Sequence, residues 1–114
     1  MKFQIRCISL DFELEIEGVK IKAKIDTGFD GEIIVNKEVF DKIPYDPSQG
    51  PRICTASMEC YSTYVKLAKI KYLGKEVISN VLNSPVIEKN IVGEGLLRKV
   101  GAIINYKDNT IEDI

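Results

Sequence analysis

The sequence predicts an all-β chain, mainly strands with one or two short helices. Three observations carry this. Apolar and charged residues alternate with a period of two from Phe12 to Ile25. Turn-forming residues interrupt the apolar runs at short intervals. Only two stretches, 37–43 and 94–100, have helical character. A length of 114 residues suits one domain, 1–114, and is too short for two.

The elements follow in order. Phe12, Leu14 and Ile16 alternate with Asp11, Glu13, Glu15 and Glu17. Gly18 offers a turn, and Val19, Ile21, Ala23 and Ile25 resume the alternation, which reads as a hairpin with one buried face. A turn at Asp26 leads to a short strand from Glu32 to Val35. Asn36 is a good N-cap for a helix over Lys37 to Ile43, with Glu38 in its first turn and Pro44 as its stop. Tyr45 to Pro51 reads as an exposed loop. Arg52 to Ile70 reads as two strands around a turn near Ala56-Ser57-Met58. Leu73-Gly74-Lys75 is a further turn, Val77 to Leu82 a strand, and Asn83-Ser84-Pro85 a break. Ile91-Val92 is a short apolar run ending at Gly93. Glu94 to Val100 has helical spacing, and strands over Ala102 to Tyr106 and Thr110 to Ile114 flank a turn at 107–109.

Composition narrows the function. Charged residues make up 29% and apolar residues 45%, the balance of a folded soluble protein. A net charge of −1 gives no general reason to bind nucleic acid or an anionic membrane. Lys20, Lys22 and Lys24 alternate along one strand and read as its solvated face. The N-terminal residues lack the apolar core of a signal peptide, no stretch is apolar enough to span a membrane, and a cytoplasmic location is the default. The cysteines are Cys7, Cys54 and Cys60. Without histidine they match no common zinc pattern, and no metal or other cofactor is expected. Free thiols are the default reading. Cys54 and Cys60 flank a short polar stretch, so a cross-link across a hairpin stays open.

The absence of histidine removes the imidazole base and turns attention to Asp26-Thr27-Gly28. This tripeptide follows a strand and delivers a carboxylate on a glycine-bearing turn. The plain alternative is a turn residue whose carboxylate caps local backbone amides. Ile25-Asp26-Thr27-Gly28 is echoed by Ile91-Val92-Gly93, which also ends a strand pattern and leads toward a helix.

A second motif changes the weight of the first. The segment Asn90-Ile91-Val92-Gly93-Glu94-Gly95-Leu96-Leu97, continuing to Tyr106, resembles the C-terminal signature of retropepsin-like aspartic proteases. In that family a hydrophobic-hydrophobic-Gly strand end precedes a helix bearing Leu-Leu and a final strand. The order and separation of D-T-G and this segment also fit, over a stretch from about Phe12 onward. The resemblance implies a closed, β-rich acid-protease barrel that forms one half of a symmetric homodimer. It implies a microbial aspartic endopeptidase acting on peptides or unfolded proteins held in extended form. Chemistry makes the same demand. Hydrolysis by paired carboxyls needs one as acid and one as base. With a single D-T-G, the second must come from a second copy of the chain.

The resemblance assigns roles. Asp26 is the catalytic carboxyl, Thr27 braces the two active turns across the interface, and Gly28 gives the substrate backbone room. Phe29, Asp30 and Ile91 fall at substrate-contacting positions. Ile53 to Tyr61 falls where the family carries its flap, so Thr55, Ala56, Ser57 and Met58 are expected over the substrate. Some features depart from the viral pattern. The flap tip has no glycine, and Glu94 stands where viral members carry an arginine that pairs with an acidic residue near the active turn. These departures motivate an alternative function, a catalytically weak or inactive peptide-binding dimer of the same fold. A third reading is a β-barrel scaffold in which D-T-G is only a turn.

Overall fold

In the computed structural model, which describes residues 2–4, 11–26, 28–54, 57–108 and 110–112, short elements alternate along the chain. They are β1 (Lys2–Gln4), β2 (Asp11–Ile16), β3 (Val19–Ile25), β4 (Ile33–Ile34), α1 (Lys37–Asp41), β5 (Ser48–Gln49), β6 (Ile53–Cys54), β7 (Cys60–Tyr61), β8 (Tyr64–Tyr72), β9 (Lys75–Asn83), β10 (Ile91–Val92), α2 (Glu94–Val100), β11 (Ile103–Asn105) and β12 (Thr110–Glu112).

Two tight hairpins shape the main sheet. Between β2 and β3, Glu17 and Gly18 have φ of 48° and 83°. Between β8 and β9, Leu73 and Gly74 have φ of 53° and 74°. Two successive left-handed residues make the turn whose twist matches that of paired strands. Leucine is an unfavourable residue in that conformation. Leu73 is nevertheless buried at 2% exposure, and burying its side chain contributes about 2 kcal/mol toward offsetting the strain.

The alternation predicted for β2 and β3 is present, with Leu14, Ile16, Ile21, Ala23 and Ile25 buried. Their other faces bring opposite charges together. Glu13 stands opposite Lys22, and Glu15 opposite Lys20. The lysine row therefore meets a carboxylate row, which accounts for its place on a solvated face.

The sheet order β2-β3-β10-β4-β9-β8 closes on itself when Glu15 and Ile16 pair with Lys71 and Ile70. The result is a closed six-stranded barrel with two short helices, the mostly-β class the sequence predicts. Inside it the apolar faces form one cluster that includes Ile16, Ile33, Ile70, Val81, Val92 and Leu96. A smaller sheet, β1-β12-β11, gathers the two ends of the described chain. Among the described residues no helix is long and apolar enough to cross a membrane.

Several bounds differ from expectation. Helix α1 ends at Asp41 rather than Ile43. Pro44 disfavours helical backbone at the residue before it. The buried carbonyls of Phe40 and Ile43 instead accept bonds of 2.8 and 3.0 Å from the buried Lys66 ammonium, which also lies 4.4 Å from the Phe40 ring centre. The loop at 45–51 contains β5, held on β8 through Ser48↔Val65 and Gln49↔Tyr64. The stretch 52–70 holds three strands rather than two, and β8 runs on to Tyr72.

Candidate active site

The site is built where β10 slides between β3 and β4. It runs parallel to β3 (Val92↔Ile25) and antiparallel to β4 (Val92↔Ile33). Because β3 and β4 are consecutive in sequence, the turn joining them must pass around the end of β10. That turn carries Asp26.

Backbone hydrogen bonds strap the turn down. The Asp26 N–H donates to the Val92 carbonyl at 2.9 Å, and the Gly93 N–H donates to the Glu32 carbonyl at 2.9 Å. The Glu94 N–H reaches the Phe29 carbonyl at 2.8 Å, and the Gly95 N–H reaches the Gly31 carbonyl at 3.0 Å. These last two donors belong to the first turn of α2, whose amides have no partner within the helix. The approach is so close that a Cβ on Gly93 would lie 2.6 Å from the Phe29 carbonyl oxygen. One on Gly95 would lie 2.9 Å from that of Asp30. The two glycines flanking Glu94 are thus a packing requirement of the turn opposite them.

Asp26 is exposed at the end of β3. Its Oδ1 accepts the Gly28 N–H at 2.9 Å, and its carbonyl accepts the Phe29 N–H at 3.1 Å. The carboxylate therefore does cap its own turn, as the plain reading of D-T-G expects. A carboxylate has about four acceptor positions, however, so one bond leaves room for a water or a second carboxyl. The Gly28 bond fixes which way the group points.

The other predicted site residues divide into two groups. Gly28 and Asp30 are exposed on the strapped turn, Phe29 is half-buried beside Gly31 and Gly93, and Ile91 is half-buried in β10. Topology brings these together with Asp26. Ser57 and Met58 lie on the β6–β7 hairpin, a two-stranded sheet of its own. Thr27, Thr55 and Ala56 fall outside the described residues. In place of the default free thiols, Cys54 and Cys60 are joined by a disulfide. They stand directly opposite each other in the β6–β7 ladder, which is why the bridge can form.

Glu94 and Asp30 form no side-chain link of the kind expected in viral members. The Glu94 carboxylate pairs with Arg98, one helical turn on, and the helix joins the turn that carries Asp26 through its backbone amides instead.

Two supporting residues escaped the sequence reading. The Asn90 side chain donates to the Lys22 carbonyl at 3.1 Å and accepts the Asn36 N–H at 2.9 Å, tying β3 to the start of α1. Glu32 accepts bonds from the Lys99 ammonium at 2.7 Å and from the Ser79 hydroxyl and Asn80 N–H at 2.8 Å each. Burial pushes its carboxyl up, but those three donors together hold it below the ordinary value of 4.5. The available signal was a carboxylate directly preceding the apolar run Ile33-Ile34-Val35.

No family model matches the chain, and no curated protein matches it in sequence. Solved structures do match. EIAV protease, complexed with the inhibitor HBY-793, aligns over 85% of this chain and 92% of its own, with a TM-score of 0.74 and 20% identity. A retropepsin-like aspartic protease from Rickettsia conorii aligns over 97% of this chain and 86% of its own, with a TM-score of 0.75 and 22% identity. With the barrel closed, β10 set between β3 and β4, and these likenesses spanning most of each chain, the protein has the fold of the retropepsin-like aspartic proteases.

Proposed function

We propose that residues 1–114 act as one domain of a homodimeric aspartic endopeptidase, with Asp26 of each copy meeting across a twofold axis. The observation that carries this is the exposed Asp26 carboxylate, oriented by Gly28 on a turn strapped to β10 and α2. A strapped turn holds a charged group in place without burying it. In one chain the group faces solvent; opposite an identical turn it would face its own copy.

The chemistry follows from that pairing. Two carboxyls at hydrogen-bonding distance do not ionise together, so they share one proton. The ionised member takes a proton from water as the water attacks the scissile carbonyl. The protonated member donates to the carbonyl oxygen as charge develops there. Thr27 braces the two turns, and Gly28 leaves space for the substrate backbone. Phe29, Asp30 and Ile91 line the cleft from below. Thr55, Ala56, Ser57 and Met58 cover an extended peptide from above, keeping water from the reacting bond. The partners are a second copy of the chain and a peptide or unfolded polypeptide.

Purified protein should cleave an unfolded polypeptide at mildly acidic pH and be blocked by a statine-type inhibitor. Asp26→Asn should lower turnover by about a thousandfold. Retention of full cleavage by that variant would overturn the reading. The same fold as a peptide-binding dimer without cleavage is the second reading. The Glu94 carboxylate favours it, because it pairs with Arg98 within α2 and not with a group on the Asp26 turn. Peptide binding without hydrolysis, unchanged by Asp26→Asn, would establish it.

A further inference from the structure

We propose that the Cys54–Cys60 disulfide is a reversible latch, opened by a dithiol reductant, that sets the order of the β6–β7 hairpin. The hairpin is weak without it. Its ladder has only two residue pairs, Ile53↔Tyr61 and Cys54↔Cys60. Among the described residues it forms no strand ladder with either of the other sheets. Isolated two-stranded ribbons are marginal in water even when longer. Apolar packing adds little, for Ile53 and Tyr61 are only half-buried, Cys54 and Cys60 are exposed, and Met58 is 85% exposed with a left-handed φ of 66°. The covalent bond closes a short loop, with a sequence separation of 6, and so removes most of the disordered alternatives open to this segment.

The same exposure lets a reductant reach the bond. A thiolate of the dithiol attacks one cystine sulfur, and the other leaves as a thiolate that takes up a proton. The second thiol of the reductant then displaces the first cysteine from the mixed disulfide. Cys54 and Cys60 end as two thiols, and the dithiol ends as a cyclic disulfide. A low-molecular-weight disulfide oxidant reverses the exchange by the same steps.

A consequence for the site rests on the protease reading. A latched ribbon meets an extended peptide already ordered, whereas an unlatched one must be ordered at the expense of binding. Reduction therefore raises KM and leaves kcat nearly unchanged.

Hydrogen–deuterium exchange on the full chain, with and without dithiothreitol, tests the latch without needing turnover. Amides of residues 53–61 should exchange about 50-fold faster after reduction, while those of β8 and β9 stay unchanged. Alkylation followed by mass spectrometry should label Cys54 and Cys60 only after reduction, and oxidised glutathione should restore protection. Cys54→Ser/Cys60→Ser should exchange like reduced protein under both conditions. Equal exchange in the two states, labelling without reductant, or a reductant effect that survives in the double variant would overturn the latch. If exchange responds as stated but neither form cleaves peptide, the latch stands and the protease reading fails. If cleavage occurs with the same KM in both forms, the link between latch and substrate is wrong.

Discussion

The turn at Asp26 and the hairpin at 53–61 are held in place by opposite means. The turn is strapped by backbone bonds to a buried strand and a helix start, at distances that only glycine permits. The hairpin is a separate two-stranded sheet with two ladder pairs, clamped by one disulfide. In this fold the Asp26 turn is fixed by packing from distant parts of the chain. The hairpin is held instead by a local clamp. Stability is therefore expected to be uneven, higher around β10 than in the two-pair β6–β7 ribbon.

Substitutions should expose this difference in descending order. Leu96→Ala removes a fully buried core side chain of α2 and should destabilise the protein by about 3–4 kcal/mol in urea unfolding. Gly93→Ala forces the Phe29 carbonyl and its strap apart. A loss of about 3 kcal/mol is expected, together with a change in amide exchange at Phe29 and Glu94. A smaller loss would mean that the turn is looser than its contacts imply. Glu32→Gln weakens the link from the turn to Lys99 on α2 and should cost about 1–2 kcal/mol. At the far end, Met58→Gly exchanges an exposed, left-handed methionine for the residue that suits that conformation. Global stability should stay within about 0.5 kcal/mol of the parent.

Acid sharpens the comparison further. The folded protein holds the Glu32 carboxyl below 4.5, so the ionised form is the one that folding favours. Its contribution is complete above pH 4.5 and is lost as pH falls from there through the lowered folded value. Glu32→Gln should flatten that part of a stability-versus-pH curve. The hairpin latch should show no such slope, because a disulfide does not titrate.

Much of this was legible in the sequence, for identifiable reasons. Strands β2 and β3 alternate cleanly because one face is buried and the other solvated. Helix α2 shows itself through Leu96, Leu97 and Val100, all buried. Asp26, Gly93 and the Leu-Leu pair are spaced closely enough to be read as motifs. Strand β5 was hidden because two exposed residues between prolines have no period. The placing of β10 between β3 and β4 was hidden because parallel pairing across most of the chain leaves no local trace. The disulfide stayed open because a short cysteine spacing suits free thiols and a bridge alike. Asn90 and Glu32 act through partners far away in sequence, which no single window contains.

The late arrival of β10 has a consequence for synthesis. Asp26 takes its backbone partner from Val92, and the carbonyls of Phe29 and Gly31 wait for Glu94 and Gly95. A nascent chain that has exposed its D-T-G but not its last quarter cannot brace that turn. On the protease reading, the ribosome itself imposes a delay, and the catalytic group stays unassembled while the polypeptides around it are most vulnerable to cutting.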